Sequence, residues 1–284
     1  MKISLLQVPW DSGYYGKRMG RGPIHLVEQG LVEHLKSGNH HVELTEITFS
    51  DSFITEASSA KVLNSKLSES VQNVRNEDRF PIILAGNCNT AIGTIAGLKL
   101  TQPGVIWFDA HADFNTPDTT SSGFFDGMAL SILTGNSWKQ WRKTIPGFTP
   151  VSEQNVILIG ARSFDSEEQK LLNSSGTSLI QASDIHNNQK AALSQSMQSL
   201  SQNCKELYLH IDLDVFDPTQ LKANEFSANR GLLLVEMQEV LKGICANFSV
   251  AAISFNSYNP TSDSGNQGPK IVKSILDTVL PMVN

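Results

Sequence analysis

Two short acidic strings hold the residues most able to do chemistry. The first is Asp109-Ala110-His111-Ala112-Asp113, continuing to Asn115; the second is Asp212-Leu213-Asp214, continuing to Asp217-Pro218. Each follows an apolar run, Val105–Phe108 in one case and Leu207–Ile211 in the other. Side chains two apart in an extended segment share a face, so Asp109, His111 and Asp113 converge, as do Asp212 and Asp214. Carboxylates clustered at the ends of buried strands repel one another and lose hydration unless a cation offsets both costs. Five such groups point to a metal centre, with two ions the natural count. A mainly carboxylate set with one imidazole favours Mn²⁺, and Zn²⁺, Co²⁺ and Fe²⁺ are compatible. Asp217 breaks the two-residue spacing and precedes a proline, which marks a turn.

These strings need strands to carry them. Apolar runs at 2–8, 41–49, 80–85, 104–108, 155–159, 178–182, 206–211 and 249–256 predict eight strands. Helical segments are expected at 24–36, 57–76, 90–100, 166–173, 190–202, 235–246 and 270–282. Near-continuous hydrophobic strands alternating with helices predict an α/β chain, its mainly parallel sheet covered on both faces. In such folds ligands sit beyond the carboxyl ends of the strands, where both strings fall. Long irregular stretches at 114–127, 135–154 and 218–231 are expected to be functional loops. No linker or repeat interrupts residues 1–284, which read as one domain.

The totals narrow the function class. The 284 residues are 40% hydrophobic and 18% charged, with a formal net charge of −6. No basic tract appears, which argues against nucleic acid. The balance suits a small, cationic substrate instead. Three scattered cysteines without CxxC spacing fit a reducing compartment. No apolar run approaches the ~20 residues of a membrane span. The first residues are too soon interrupted by Pro9 to resemble a secretion signal. A cytoplasmic protein is expected.

The strings and their surroundings resemble the arginase (ureohydrolase) family. DAHADFNTPDTTSSGFFDG, residues 109–127, is similar to that family's DAHxDxNTPxTxSGNxHG block, and 212–218 to its DxDxxDP block. Further matches follow in the family's order: Gly20-Arg21-Gly22-Pro23, the 84–89 segment LAGNCN against GGDHS, the 159–165 segment IGARSFD, and Ser257-Tyr258-Asn259-Pro260 against EVNP. The resemblance implies a three-layer α/β/α domain around an eight-stranded sheet. It also implies a homo-oligomer acting on a small molecule. Asp109 and Asp212 would bridge two metals, His111 and Asp214 completing one site and Asp113 serving the other. A metal-bridging hydroxide, oriented by Asp113, would attack a guanidinium-type carbon. Asn115 and Ser122 fall where the family holds a substrate α-carboxylate, and Asp165, with Glu168 nearby, where it holds an α-ammonium. Helix capping ahead of 166–173 is the competing role for those two acids.

Three positions depart from the pattern. Cys88 replaces a ligating histidine; it is either a thiolate ligand favouring Zn²⁺ or Fe²⁺ or an inert buried thiol, with Asn87 and Asn89 as alternative donors. Asp126 replaces a proton-shuttling histidine and could serve only with a pKa raised toward neutrality. Ser257 replaces the glutamate that pairs with guanidinium, and a hydroxyl cannot supply that bidentate contact. Phe124 makes the rim more apolar. The expected activity is hydrolysis of a linear C–N bond in a guanidino- or formimino-type amino-acid derivative rather than arginine. A single-metal zinc amidohydrolase of deacetylase type, built on Asp109, His111 and Asp212, and a non-catalytic relative stay open as alternatives. His210 is expected in the core, and Trp138 and Trp141 at an interface or lid.

Overall fold

In the computed structural model, residues 1–50, 55–187 and 190–283 are described. Eight strands form the central sheet: β1 (Lys2–Val8), β2 (His41–Glu46), β3 (Phe80–Ala85), β4 (Gly104–Phe108), β5 (Val156–Ile159), β6 (Ser178–Ile180), β7 (Glu206–Asp212) and β8 (Ser249–Asn256). Their order is β2-β1-β3-β8-β7-β4-β5-β6, and every pairing is parallel. All eight expected strands are present, most within a residue or two of their expected ends.

Alternation along the strands divides the core in two. Ile3, Leu5, Ile82, Leu84, Ile106, Phe108, Leu209 and Ile211 point to one face. Helices α1 (Arg21–Glu28), α2 (Leu31–Ser37), α10 (Leu234–Asn247) and α11 (Gln267–Val279) cover that face. Leu6, Val8, Ile83, Val105, Trp107 and Tyr208 point to the other, under α3 (Glu56–Asn76), α4 (Ala91–Leu98) and α5 (Ala129–Thr134). The result is the expected three-layer sandwich. The helix at α3 follows from its sequence: Leu63, Leu67, Val71 and Val74 recur on one stripe, and the Thr55 hydroxyl accepts from the Ser58 amide at 3.3 Å.

Two expectations change. The helix at 24–36 is two helices, because Gly30 adopts φ 78° and breaks the run. A short helix, α6 (Lys139–Arg142), also interrupts the irregular stretch expected at 135–154, and α5 falls between two such stretches; α7 (Ser166–Ser174) and α8 (Ala182–His186) follow. Helix α9 is Lys190–Asn203. Trp138 and Trp141 do not hang free as a lid. Their indoles donate to Met128 Sδ at 3.1 Å and to the Ala57 carbonyl at 2.7 Å, and both rings meet Phe125 edge-on. They pin α6 to the domain.

Candidate metal centre

Sequence-distant strands β3, β8, β7 and β4 lie side by side, and their carboxyl ends open into one cavity of about 340 Å³. Cys88 follows β3, Asp109 follows β4, Asp212 closes β7 and Ser257 follows β8. The cavity is lined by Cys88, His111, Asp113, Asn115, Ser122, Asp126, Asp165, Glu168, Asp212, Asp214 and Ser257, among others. Among the described residues, no lysine or arginine lines it. Two non-glycine residues in its wall have left-handed backbones, Asp113 at φ 51° and Ser257 at φ 59°. Such conformations are costly and persist where the surrounding structure enforces them. The Asn224 amide donates to the Ser257 carbonyl at 2.8 Å and so supports one of them.

Ligand-capable atoms gather in two groups with a common member. Cys88, Asp109 and Asp212 form one, and Asp109, His111 and Asp214 the other; within each group the donor atoms lie within 4.8 Å of one another. Asp109 Oδ1 accepts from the His111 amide at 2.8 Å, and Oδ2 accepts from the Trp107 indole at 2.9 Å. Asp212 Oδ1 accepts from the Asp214 amide at 2.8 Å, while Oδ2 lies 3.0 Å from Cys88 Sγ. His111 Nδ1 lies 3.4 Å from Asp109 and 3.3 Å from Asp214. Asp214 is held by the Ala110 amide at 3.1 Å and the Asn224 amide at 3.4 Å. Asp113 lines the same cavity but belongs to neither group, and Asp212 belongs to one only. Asp109 is the residue common to the two groups.

The electrostatics show what the cluster lacks. Burial, then the charge of Asp214, raises Asp109; burial and the same neighbour raise Asp212 well above the carboxylate range. Burial, then Asp109, raises Asp113 well above that range. Burial and Asp212 raise the Cys88 thiol. Burial works against protonating His111, but Asp214 and Asp109 override it and raise the imidazole well above its usual value. Burial is likewise overridden at Asp214, which His111 holds below the usual range. One imidazolium cannot balance this many buried carboxylates. Divalent cations would, and the donor set of carboxylates, imidazole and thiol fits them.

Asp126 lines the cavity, where its surroundings decide its protonation. Its oxygens accept four hydrogen bonds, from the amides of Cys88 (3.0 Å) and Asn89 (2.8 Å) and from the side chains of Asn87 (2.9 Å) and Asn89 (3.0 Å). Burial outweighs these bonds and pushes its pKa up to about 7. The asparagines are thereby committed. Asn87 Oδ1 also accepts from the Ser12 amide at 2.8 Å and Asn89 Oδ1 from the Asn64 side chain at 3.3 Å.

At the mouth, Asn115 donates to Asp165 at 3.1 Å and Ser121 donates to the same carboxylate at 3.3 Å. Asp165 is the N-cap of α7. Glu168 accepts from the Asp165 amide at 3.2 Å and the Phe114 amide at 2.9 Å, which is the capping role weighed above. The Ser122 hydroxyl accepts from the Phe124 amide at 3.2 Å. Phe124 leans on Phe226, ring centres 5.8 Å apart, giving the apolar rim expected of it. His210 is in the core, stacked on Trp107 at 3.5 Å between ring centres and bonded to Tyr208 at 3.0 Å. His186 has a partner the sequence did not reveal, Glu236 at 2.8 Å. Trp107 and Asn224 were also missed, since neither lies in a ligand motif.

The site sits at the strand ends of a parallel α/β/α sandwich and offers two groups of candidate metal ligands. The sequence matches the Arginase family over residues 1–280. It is 29% identical to the arginase of Bacillus subtilis (strain 168) over 289 residues, covering 98% of this chain and 97% of that one. It is 28% identical to the arginase of Bacillus caldovelox, covering 98% and 97%. The crystal structure of the B. subtilis arginase superposes with a TM-score of 0.89 at 28% identity over 98% of each chain. The formimidoylglutamase of the same species shares the fold at 18% identity, with a TM-score of 0.77 over 99% of this chain and 86% of that one. The chain belongs to the arginase family and is a hydrolase of its linear C–N-bond class. Among the described residues no helix is long and apolar enough to cross a membrane.

Proposed function

We propose that this hydrolase cleaves a linear C–N bond in a guanidino- or formimino-type amino-acid derivative at a binuclear, manganese-type centre. The observation that carries the reading is the pair of ligand groups sharing Asp109, set against a cavity that no lysine or arginine lines among the described residues. Asp109, His111 and Asp214 would hold one cation, and Cys88, Asp109 and Asp212 the other. When bound, two divalent cations lower the pKa of a shared water and make hydroxide available near neutral pH.

The chain's own residues do the rest. Asp113, in the cavity wall, would accept a hydrogen bond from the attacking water and orient it. Asn115 and Ser122 supply an amide and a hydroxyl for a substrate carboxylate, and Asp165 an anion for its ammonium group. Binding must compete with the Asn115–Asp165 contact. Glu168 holds the loop and helix that carry these groups. We assign Asp126 to positioning Cys88 rather than to proton transfer, because a carboxylate has about four acceptor sites and all four are used. Ser257 lines the cavity with a hydroxyl, which favours a head group needing no bidentate carboxylate. The same reading carries a cytoplasmic homo-oligomer, which light scattering and cell fractionation decide.

The test is product release from arginine, agmatine, guanidino acids and formiminoglutamate after loading with Mn²⁺, Zn²⁺, Co²⁺, Fe²⁺ or Ni²⁺. Turnover of a substrate other than arginine, lost in Asp109→Asn, is the expected result. Silence across the panel with every metal contradicts the reading.

A further inference from the structure

The two halves of the centre differ in chemistry. One offers two carboxylates and an imidazole. The other offers a thiol, and Cys88 is only 1% exposed, with Sγ 3.0 Å from Asp212 Oδ2 and 3.3 Å from Ser257 Oγ. Two departures from the family pattern, Cys88 and Ser257, are thus in contact. A serine hydroxyl can donate to a thiolate and stabilise it. A glutamate at 257 would instead add a further negative charge beside the sulfur. Carboxylate and imidazole donors accept Mn²⁺ readily, whereas a thiolate selects thiophilic ions such as Zn²⁺ or Co²⁺.

We propose, building on the binuclear reading above, that the protein carries a mixed centre: a thiophilic divalent cation on Cys88, Asp109 and Asp212, and Mn²⁺ on Asp109, His111 and Asp214. Coordination replaces the S–H bond with a sulfur–metal bond. The proton leaves to solvent and nothing is oxidised. Ser257 is a positioning residue for the sulfur, and the turn bonded to Asp126 fixes where Cys88 sits.

Titration of the metal-free full-length chain with Co²⁺ tests this without an activity readout. A near-ultraviolet thiolate-to-cobalt charge-transfer band should grow with the first equivalent and be lost in Cys88→Ser. Manganese in excess, together with one equivalent of Zn²⁺, should leave one of each per chain. Cys88→His should bind without the band and shift the competition toward Mn²⁺; it also guards against misfolding of the serine variant. Two cobalt ions bound with no thiolate band would overturn the mixed centre and leave the proposed function standing. Retention of no metal at all would overturn both.

Discussion

Asp109 is held on both oxygens, one by the His111 amide and the other by the Trp107 indole. Register explains the second contact. Trp107 on β4 pairs with His210 on β7, which pairs with Ser254 on β8, so the indole is clamped by a stacked imidazole. Trp107→Phe keeps the stack and removes the donor. Metal affinity should fall ~10–100-fold, measured by competition with a chelating dye, while the circular dichroism spectrum stays unchanged. Only part of this was legible in the sequence. Ligand types and spacing announced Asp109, His111, Asp212 and Asp214. Trp107 and Asn224 carry no such signal, because their role comes from what the sheet register and the 218–231 loop bring beside them. That the Asn87 and Asn89 amides hold Asp126 is likewise invisible in sequence, because only the fold brings 87–89 beside 126.

Elements place these residues by packing against one another. Most strands stand out as apolar runs because a strand covered on both faces is hydrophobic along its whole length; β2, at the exposed sheet edge, is the exception. Short α5, α6 and α8 escaped notice because they have too few turns to show a helical stripe. Close approach is visible only in the fold: a Cβ on Gly160, whose φ is 97°, would lie 2.6 Å from Val215 Cγ2 and 3.1 Å from the Asp109 carbonyl. Glu168→Ala strips the Phe114 and Asp165 amides of their acceptor at the start of α7. The expected loss is about 1–3 kcal/mol in urea unfolding, since buried donors are left unpaired. A second contact joins α8 to α10, where the Glu236 hydrogen bond raises the half-exposed His186 above its usual value. A raised imidazole stabilises the fold fully below the unfolded pKa of about 6.5, and the gain disappears as pH rises through the folded value. Thermal melts of wild type and His186→Gln should therefore differ by a few tenths of a kcal/mol at acidic pH and converge in alkali, the small size reflecting solvent screening.

At the scale of the molecule, the sheet gathers buried carboxylates that repel one another when no cation is bound. Asp212→Asn should consequently raise the melting temperature of the metal-free protein while abolishing most of the stabilisation that metal adds. For wild type, free metal at a hundredfold its Kd should contribute about 2.7 kcal/mol. The most direct measurement of the central claim is anomalous diffraction from crystals of the manganese-loaded protein. Two peaks in the cavity, both in contact with Asp109, are expected. A single peak, or none touching Asp109, would contradict a binuclear centre built on that shared carboxylate.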